Sequence, residues 1–468
     1  MLRPSEIAAF RGLPMNGLFG SPLGALFARP WVDPAGLFGL RRWYWPLSRL
    51  WAAANVAGED ASRFRDEIGA VLPAFWSASR LHTVLGHNAR IRHEAELARR
   101  AWEMAIFDEP AANADPGQLD RHRRVTATSH LATRGRFYPL LFPRRPPPVR
   151  WRIDLPDQVE RELGPMIADP SRLYVAPIDA GTVAVSRSFV RNGMREYWLR
   201  APTPAPRLHG RPGSEVLYAR VVEPMDGAVK ETLIIGNGLG LEFELLSVAR
   251  DAGARLAAMG WRVIEPVSPY HGLRAMPGYY GGEPFFATGP TGAIDLVAGQ
   301  AVESALLIAW SRTRFGGKVA LAGISMTSFV AQQAASYCHL WPAEARPDAV
   351  MLVSHSGRIE GVTFGGALAT TLGLDVALAR AGWSRAALAR LSQTIDPAKA
   401  PAVSSSHIVS VLGETDRWVP YDDGLEVARR WGLPEANVFR YRLGHLGMPV
   451  QLVRDAAPFM RLRQLLAG

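Results

Sequence analysis

From Glu231 onward, hydrophobic and polar positions alternate in two regimes. Short apolar, β-prone runs occur at Glu231 to Ile235, Trp261 to Pro266, Lys318 to Gly323, Ala349 to Val353, Ile408 to Leu412 and Val438 to Tyr441. Between them lie stretches of helical period: Leu241 to Met259, Ile294 to Arg314, Phe329 to Cys338, a helical insert at 357–400, Gly424 to Trp431 and a last helix from Val450. Strands apolar throughout and separated by helices predict an α/β fold, a mostly parallel sheet with helices on both faces. Such sheets gather their chemistry at the carboxyl ends of the strands.

The pattern upstream is different. Glu59 to Phe107 reads as helical, with Phe64, Ile68, Val71, Leu72 and Phe75 on one face and Leu81, Val84 and Leu85 resuming it after Pro73. Residues 108–150 read as connector, ending in the stiff run Phe142 to Pro148. Short strands are expected at Leu173 to Ala176, Thr182 to Phe189, Arg195 to Leu199 and Glu215 to Val222. The expected division is a mainly helical N-terminal region (1–150), connecting strands and linker (151–214) and a catalytic domain (215–468) with a cap at 357–400.

Residues 16–51 are rich in Leu, Phe, Trp and Gly, and Leu40, Trp43, Leu47, Leu50 and Trp51 recur at helical spacing beside Arg41, Arg42 and Arg49. Pro46 is expected to kink any helix there. Two readings stay open. The segment is an arm packed on the protein's own surface, or residues 31–51 touch an anionic membrane, indoles at headgroup depth and guanidinium groups on phosphates.

Composition narrows the class. A chain of 468 residues, 48% hydrophobic, can bury a large core. The single Cys338 excludes a disulfide framework and a cysteine zinc site. No apolar run looks long enough to span a bilayer and no secretory signal is evident, so a cytoplasmic location is expected, with or without membrane association. The net charge of +10 is nearly all arginine, since only Lys230, Lys318 and Lys399 are lysines. It is not gathered into a stripe; Arg121 to Arg124 and Arg144-Arg145 are its longest clusters, so no nucleic-acid partner is expected. His93-Glu94 starts like a zinc-protease motif, but Leu97 stands at the second ligand position, so no metal is expected there.

The chemistry concentrates where Gly323-Ile324-Ser325-Met326-Thr327 joins a strand to a helix. A serine on such a turn is lifted clear of the sheet toward the first helical N–H groups. Gly323 supplies the small flanking residue; Thr327 stands where the G-x-S-x-G elbow has its second glycine. Two later strand ends supply partners. Gly413 to Pro420 carries Asp416, and Gly444-His445 follows the last strand. Ser325 is read as nucleophile, His445 as general base and Asp416 as the acid that orients it. Asp422 and Asp423 are rival acids at a helix start, His407 lies at the wrong end of its strand, and His355 lies at the right end.

Acyl transfer also needs oxyanion donors. Met326 N–H is one candidate and Leu239 N–H, in Gly236-Asn237-Gly238-Leu239-Gly240, the other. The same glycines suggest a dinucleotide turn, but Leu241 occupies the third glycine position. Asn237, Gly238, Tyr270, His271, His355 and Phe364 are candidates for the substrate pocket. A catalytically silent fold that binds a lipid or partner, and an acyltransferase, remain the alternatives.

These residues resemble the α/β-hydrolase superfamily over residues 215–468. A narrower resemblance, to the abhydrolase-domain-containing eighteen family, rests on Pro269-Tyr270-His271-Gly272-Leu273-Arg274, Gly323-Ile324-Ser325-Met326 and Phe364-Gly365-Gly366-Ala367-Leu368. That family has tyrosine where His271 stands and glycines after its Ser-Met. The resemblance implies a serine hydrolase acting on a small-molecule or lipid acyl ester, without metal or cofactor. It also implies a cap, whose underside Leu368, Leu372, Leu374, Val376 and Leu378 would make apolar.

Overall fold

The computed structural model describes residues 29–69, 77–108, 114–142, 146–225, 229–240 and 251–467. Expectations for residues 16–28, Val71, Leu72, Pro73 and Phe75, the middle of the proline run and the first half of the helix after Gly240 fall outside them.

Among the described residues one ten-stranded sheet organises the chain. Its strands are β1 (Ala184–Val185), β2 (Phe189–Arg191), β3 (Met194–Pro202), β4 (Val216–Pro224), β5 (Thr232–Gly236), β6 (Arg262–Pro266), β7 (Val319–Ile324), β8 (Ala349–Val353), β9 (Ile408–Gly413) and β10 (Val438–Tyr441). The order is β1-β3-β4-β6-β5-β7-β8-β9-β10, with β2 on β3. From β6 to β10 all pairs are parallel, whereas β4 runs against both β3 and β6. This is the α/β-hydrolase fold.

The apolar strands divide their side chains between two cores, as a two-residue period requires. Val319 and Leu321 of β7 face the helix Thr291–Phe315, while Ala320 and Ala322 face the helix Ala457–Ala467. Each fully buried leucine or valine there stabilises the fold by about 1.5–3 kcal/mol. Thr291–Phe315 is, contrary to expectation, long and apolar enough to cross a membrane; its apolar window is wholly buried inside the protein.

The N-terminal helices share a hydrophobic cluster with the cap. Leu50, Ala53, Phe64 and Leu85 pack in the same cluster as Phe285, Met326, Leu372 and Leu378. Pro46 does not break its helix. It occupies the first turn of Trp45–Ala57, after a five-residue π-helical stretch, Leu40–Tyr44, that continues from the helix Val32–Gly39. The wider turn accommodates the hydrogen bond a proline cannot make.

Several expectations upstream are corrected. Residues 108–150 are not plain connector: Asp115 caps a helix, Pro116–Ala132, with its carboxylate on Gly117 N–H, and a 3-10 stretch, Thr133–Leu141, follows. A helix, Pro156–Ala168, stands at the start of the supposed linker, burying Val159 and Leu163. Leu173 to Ala176 is not a strand. Asp169 accepts the N–H of Ser171 and turns Pro170–Leu173 into a 3-10 helix, local capping overriding β propensity. In the cap, Leu372, Leu374 and Leu378 are buried, but Val376 is 48% exposed.

Candidate active site

Ser325 links β7 to the helix Met326–Tyr337 with φ 55° and ψ −114°, a backbone state that few side-chain-bearing residues adopt. The turn is held from outside. Ser325 N–H donates to Val353 O on β8 at 2.8 Å, and Ser328 N–H to Ser325 O at 2.9 Å. Thr327 stays within it because its hydroxyl is engaged, receiving Ile324 N–H at 2.9 Å and donating to Ile324 O at 3.2 Å.

The loops after β9 and β10 meet this turn. Ser325 Oγ is 2.9 Å from His445 Nε2, and His445 Nδ1 is 2.7 Å from Asp416 Oδ2. The other carboxylate oxygen of Asp416 accepts the N–H groups of Trp418 at 2.9 Å and Val419 at 3.0 Å, so the acid is fixed on both sides. Trp418 also stacks on the imidazole, ring centroids 5.2 Å apart and planes 12° from parallel. Burial works against a charged His445. The charge and hydrogen bond of Asp416, with the charge of Asp33 behind, outweigh it and raise the pKa.

The rival acid Asp423 is taken by Arg358 and Ser356, and Asp422 lies in the first turn of the helix Tyr421–Arg430. His407 precedes β9, at the far end of the sheet. His355 is directed at Ser410 within the sheet, 2.8 Å from its hydroxyl, and burial lowers its pKa to about 3.

Past β5, Asn237 and Leu239 are half-buried and Gly238 buried. His271 fixes the end of this loop: its Nε2 accepts Gly240 N–H at 3.1 Å and its Nδ1 donates to Pro269 O at 2.9 Å. Burial lowers its pKa to about 4, which keeps the ring neutral and Nε2 an acceptor. Gly240 N–H is thereby engaged within the loop. Tyr270 is buried with φ 69°, and its carbonyl receives Gly282 N–H at 3.0 Å.

An apolar cavity lies under the cap, lined by Phe285, Phe286, Ile294, Phe364, Ala369 and Leu374 among others. Of the six pocket candidates Phe364 lines it; Asn237, Gly238, Tyr270, His271 and His355 do not. Ser325 is not in its wall either, although Phe285 and Phe286 share an apolar cluster with Met326, the residue after the serine.

Two contributors were missed in the sequence: Trp418, and Asp33, whose carboxylate accepts the N–H groups of His445 and Leu446. Trp418 sits within the stretch that carries Asp416. For Asp33 the sequence held one signal, a lone acid in a run of Leu, Phe, Trp and Gly.

No family model matches the sequence, and no curated protein matches it. Solved structures similar to it include acetyl xylan esterase 1 from Thermoanaerobacterium sp., 12% identical over 62% of this chain and 88% of that one, TM-score 0.39. An esterase from Pyrobaculum calidifontis is 17% identical over 67% and 91%, TM-score 0.36. A cold-adapted esterase from an Arctic intertidal metagenomic library is 13% identical over 60% and 97%, TM-score 0.37.

Proposed function

We propose that the protein is a serine hydrolase that cleaves a lipid-like carboxylic ester through an acyl-serine intermediate. The observation that carries this reading is the unbroken line from Ser325 Oγ through His445 to Asp416 on a strained strand-to-helix turn. His445 Nε2 takes the hydroxyl proton as Oγ bonds to the ester carbonyl carbon. The oxyanion that forms faces Met326 N–H and Leu239 N–H. His445 then gives its proton to the leaving alkoxide as the ester C–O bond breaks. Water repeats the sequence on the acyl-serine, giving the acid and restoring Ser325.

The cavity supports a lipophilic acyl group. Its walls are largely apolar side chains, which favour a hydrocarbon chain and exclude water. A fluorophosphonate probe tests the reading. It is expected to label the protein at Ser325 and to leave Ser325→Ala unlabelled; equal labelling of the two would overturn the assignment. With a labelled acyl ester the product is expected to be the free acid.

A further inference from the structure

The helix Val32–Gly39 lies against the loop that carries His445. Its Asp33 carboxylate, 6% exposed, accepts the backbone N–H of His445 at 2.6 Å and that of Leu446 at 2.8 Å. Gly444 allows this approach, for a Cβ there would run into the carboxylate. Eleven residues on, the Tyr44 hydroxyl donates to Gly240 O at 3.3 Å. One helical run thus touches both the histidine loop and the loop read as an oxyanion donor.

A buried carboxylate is costly unless its oxygens are satisfied. Burial, with the charge of Asp416, leaves the pKa of Asp33 raised; the two amides and the nearby imidazole offset this only in part. An apolar side chain would fill the same space without that cost, so packing alone does not account for an acid here.

We propose that Asp33 is a positioning residue for His445, holding the loop backbone so that the ring stands between Ser325 and Asp416. The N-terminal helix is then part of the active centre. This rests on the reading of Ser325 and His445 as nucleophile and base.

The test uses the full chain with Asp33→Asn and Asp33→Ser, following kcat, KM and the pH profile with a short soluble ester, and the rate of fluorophosphonate labelling. Asn keeps one acceptor oxygen but loses the charge and the second acceptor. Expected are a fall in kcat of about tenfold or more, KM within about twofold, and an acid limb moved to lower pH because the imidazolium has lost a nearby negative charge. Labelling rates are taken on the folded fraction after gel filtration, so misfolding cannot imitate the effect. Unchanged kcat and limb overturn the proposal, as does a fall in kcat with the limb unmoved, which is what a merely structural role gives. If the wild type itself is not labelled at Ser325, the reading of the site fails and the proposal with it.

A separate set of observations concerns the exposed side of this region. Phe38 (61% exposed), Trp43, Tyr138 and Phe142 all reach solvent. They adjoin: Phe38 and Trp43 are 5.7 Å apart, Tyr138 and Phe142 5.7 Å, and the Arg42 guanidinium lies 5.6 Å over Phe142. Arg41 and Arg136 are exposed in the same two segments, and within 29–51 and 131–142 the sole acid is the buried Asp33. We infer that this face rests on an anionic bilayer, aromatic rings at headgroup depth and arginines on phosphates. The full chain is expected to sediment with phosphatidylcholine vesicles containing phosphatidylglycerol and to be released by salt. The double variant Phe38→Asp with Trp43→Asp is expected to stay in the supernatant. Equal sedimentation of variant and wild type, or none by the wild type, would overturn the inference.

Discussion

Thr327 occupies the space in which a Cβ on Gly236 would stand, its own Cβ being 2.8 Å from that point. The residue two after the serine is small in a G-x-S-x-G elbow because it faces the neighbouring strand. Here the glycine lies on that strand instead, at the end of β5, and the threonine hydroxyl ties the turn to Ile324. Gly236→Ala is therefore expected to destabilise the fold by about 1–3 kcal/mol through overpacking and to slow labelling of Ser325. Adding Thr327→Gly is expected to restore most of both. A double variant no better than Gly236→Ala, by thermal melting and labelling, would show that the two positions do not compensate.

The pH dependence follows from His445. The proposed mechanism uses its neutral form, and burial is outweighed by the charge and hydrogen bond of Asp416, which raise its pKa above the ordinary 6.5. The rate is expected to fall as pH drops through that raised value, so the acid limb of kcat lies above 6.5. For stability, the ion pair contributes fully below the unfolded pKa of about 6.5 and is lost as pH rises through the folded value. Asp416→Asn is expected to lower kcat by about 10⁴-fold and to move the limb down. A pH–rate profile of each protein measures this.

His271 should act on rate without titrating near neutrality. His271→Ala removes the acceptor for Gly240 N–H and frees the loop that carries Leu239. A fall in kcat of about ten- to a hundredfold is expected, reaching only the low end of the roughly 10²–10³ that outright loss of an oxyanion donor costs. Its pKa of about 4 implies no change in the wild-type limb attributable to this ring. Steady-state kinetics beside circular dichroism separates the effect from unfolding.

The cavity makes a prediction about chain length. Ala369, 1% exposed, lies in its wall, and Ala369→Phe would fill part of it. Hydrolysis of long-chain p-nitrophenyl esters is expected to fall about tenfold or more relative to the acetate. An equal effect on both esters would separate the cavity from the acyl group.

Much of the site was legible because parallel strands read as isolated apolar runs and their ends locate the chemistry. Ser325, Asp416 and His445 each follow such a run, and the structure brings them within hydrogen-bond distance. The helices at Ala61–Ile68 and Ala78–Glu103 were legible too, but the stretch read as connector was opaque for a physical reason. On the helix Pro116–Ala132 the buried residues are Asp120, Arg123 and Arg124. Asp120 pairs with both arginines at 2.9 and 2.6 Å, and the Arg123 guanidinium lies 4.3 Å over Trp102. A helix whose inner face is charged gives no apolar stripe, so hydrophobic period cannot find it. His355 misled for another reason: its position after β8 is right, but its ring is turned into the sheet toward Ser410. Similarly Arg274, in the motif with His271, is buried in a two-pronged pair with Glu303 at 2.8 and 2.7 Å, which makes it a structural residue.

That pair gives a stability test remote from the serine. Glu303→Ala would leave Arg274 charged, fully buried and without its carboxylate, at a cost of about 3–5 kcal/mol. Replacing both by apolar residues of similar volume is expected to cost much less. Denaturant unfolding of the single and double variants measures the difference.

The hydrogen bond from His445 to Asp33 joins positions 412 residues apart. On a ribosome the helix emerges early and waits while nearly the whole sheet is made, since the loop it grips follows the last strand. Loop closure over such a separation comes late in folding, after the local contacts. A nascent chain therefore carries Ser325 long before it carries a His445 loop that Asp33 can hold in register.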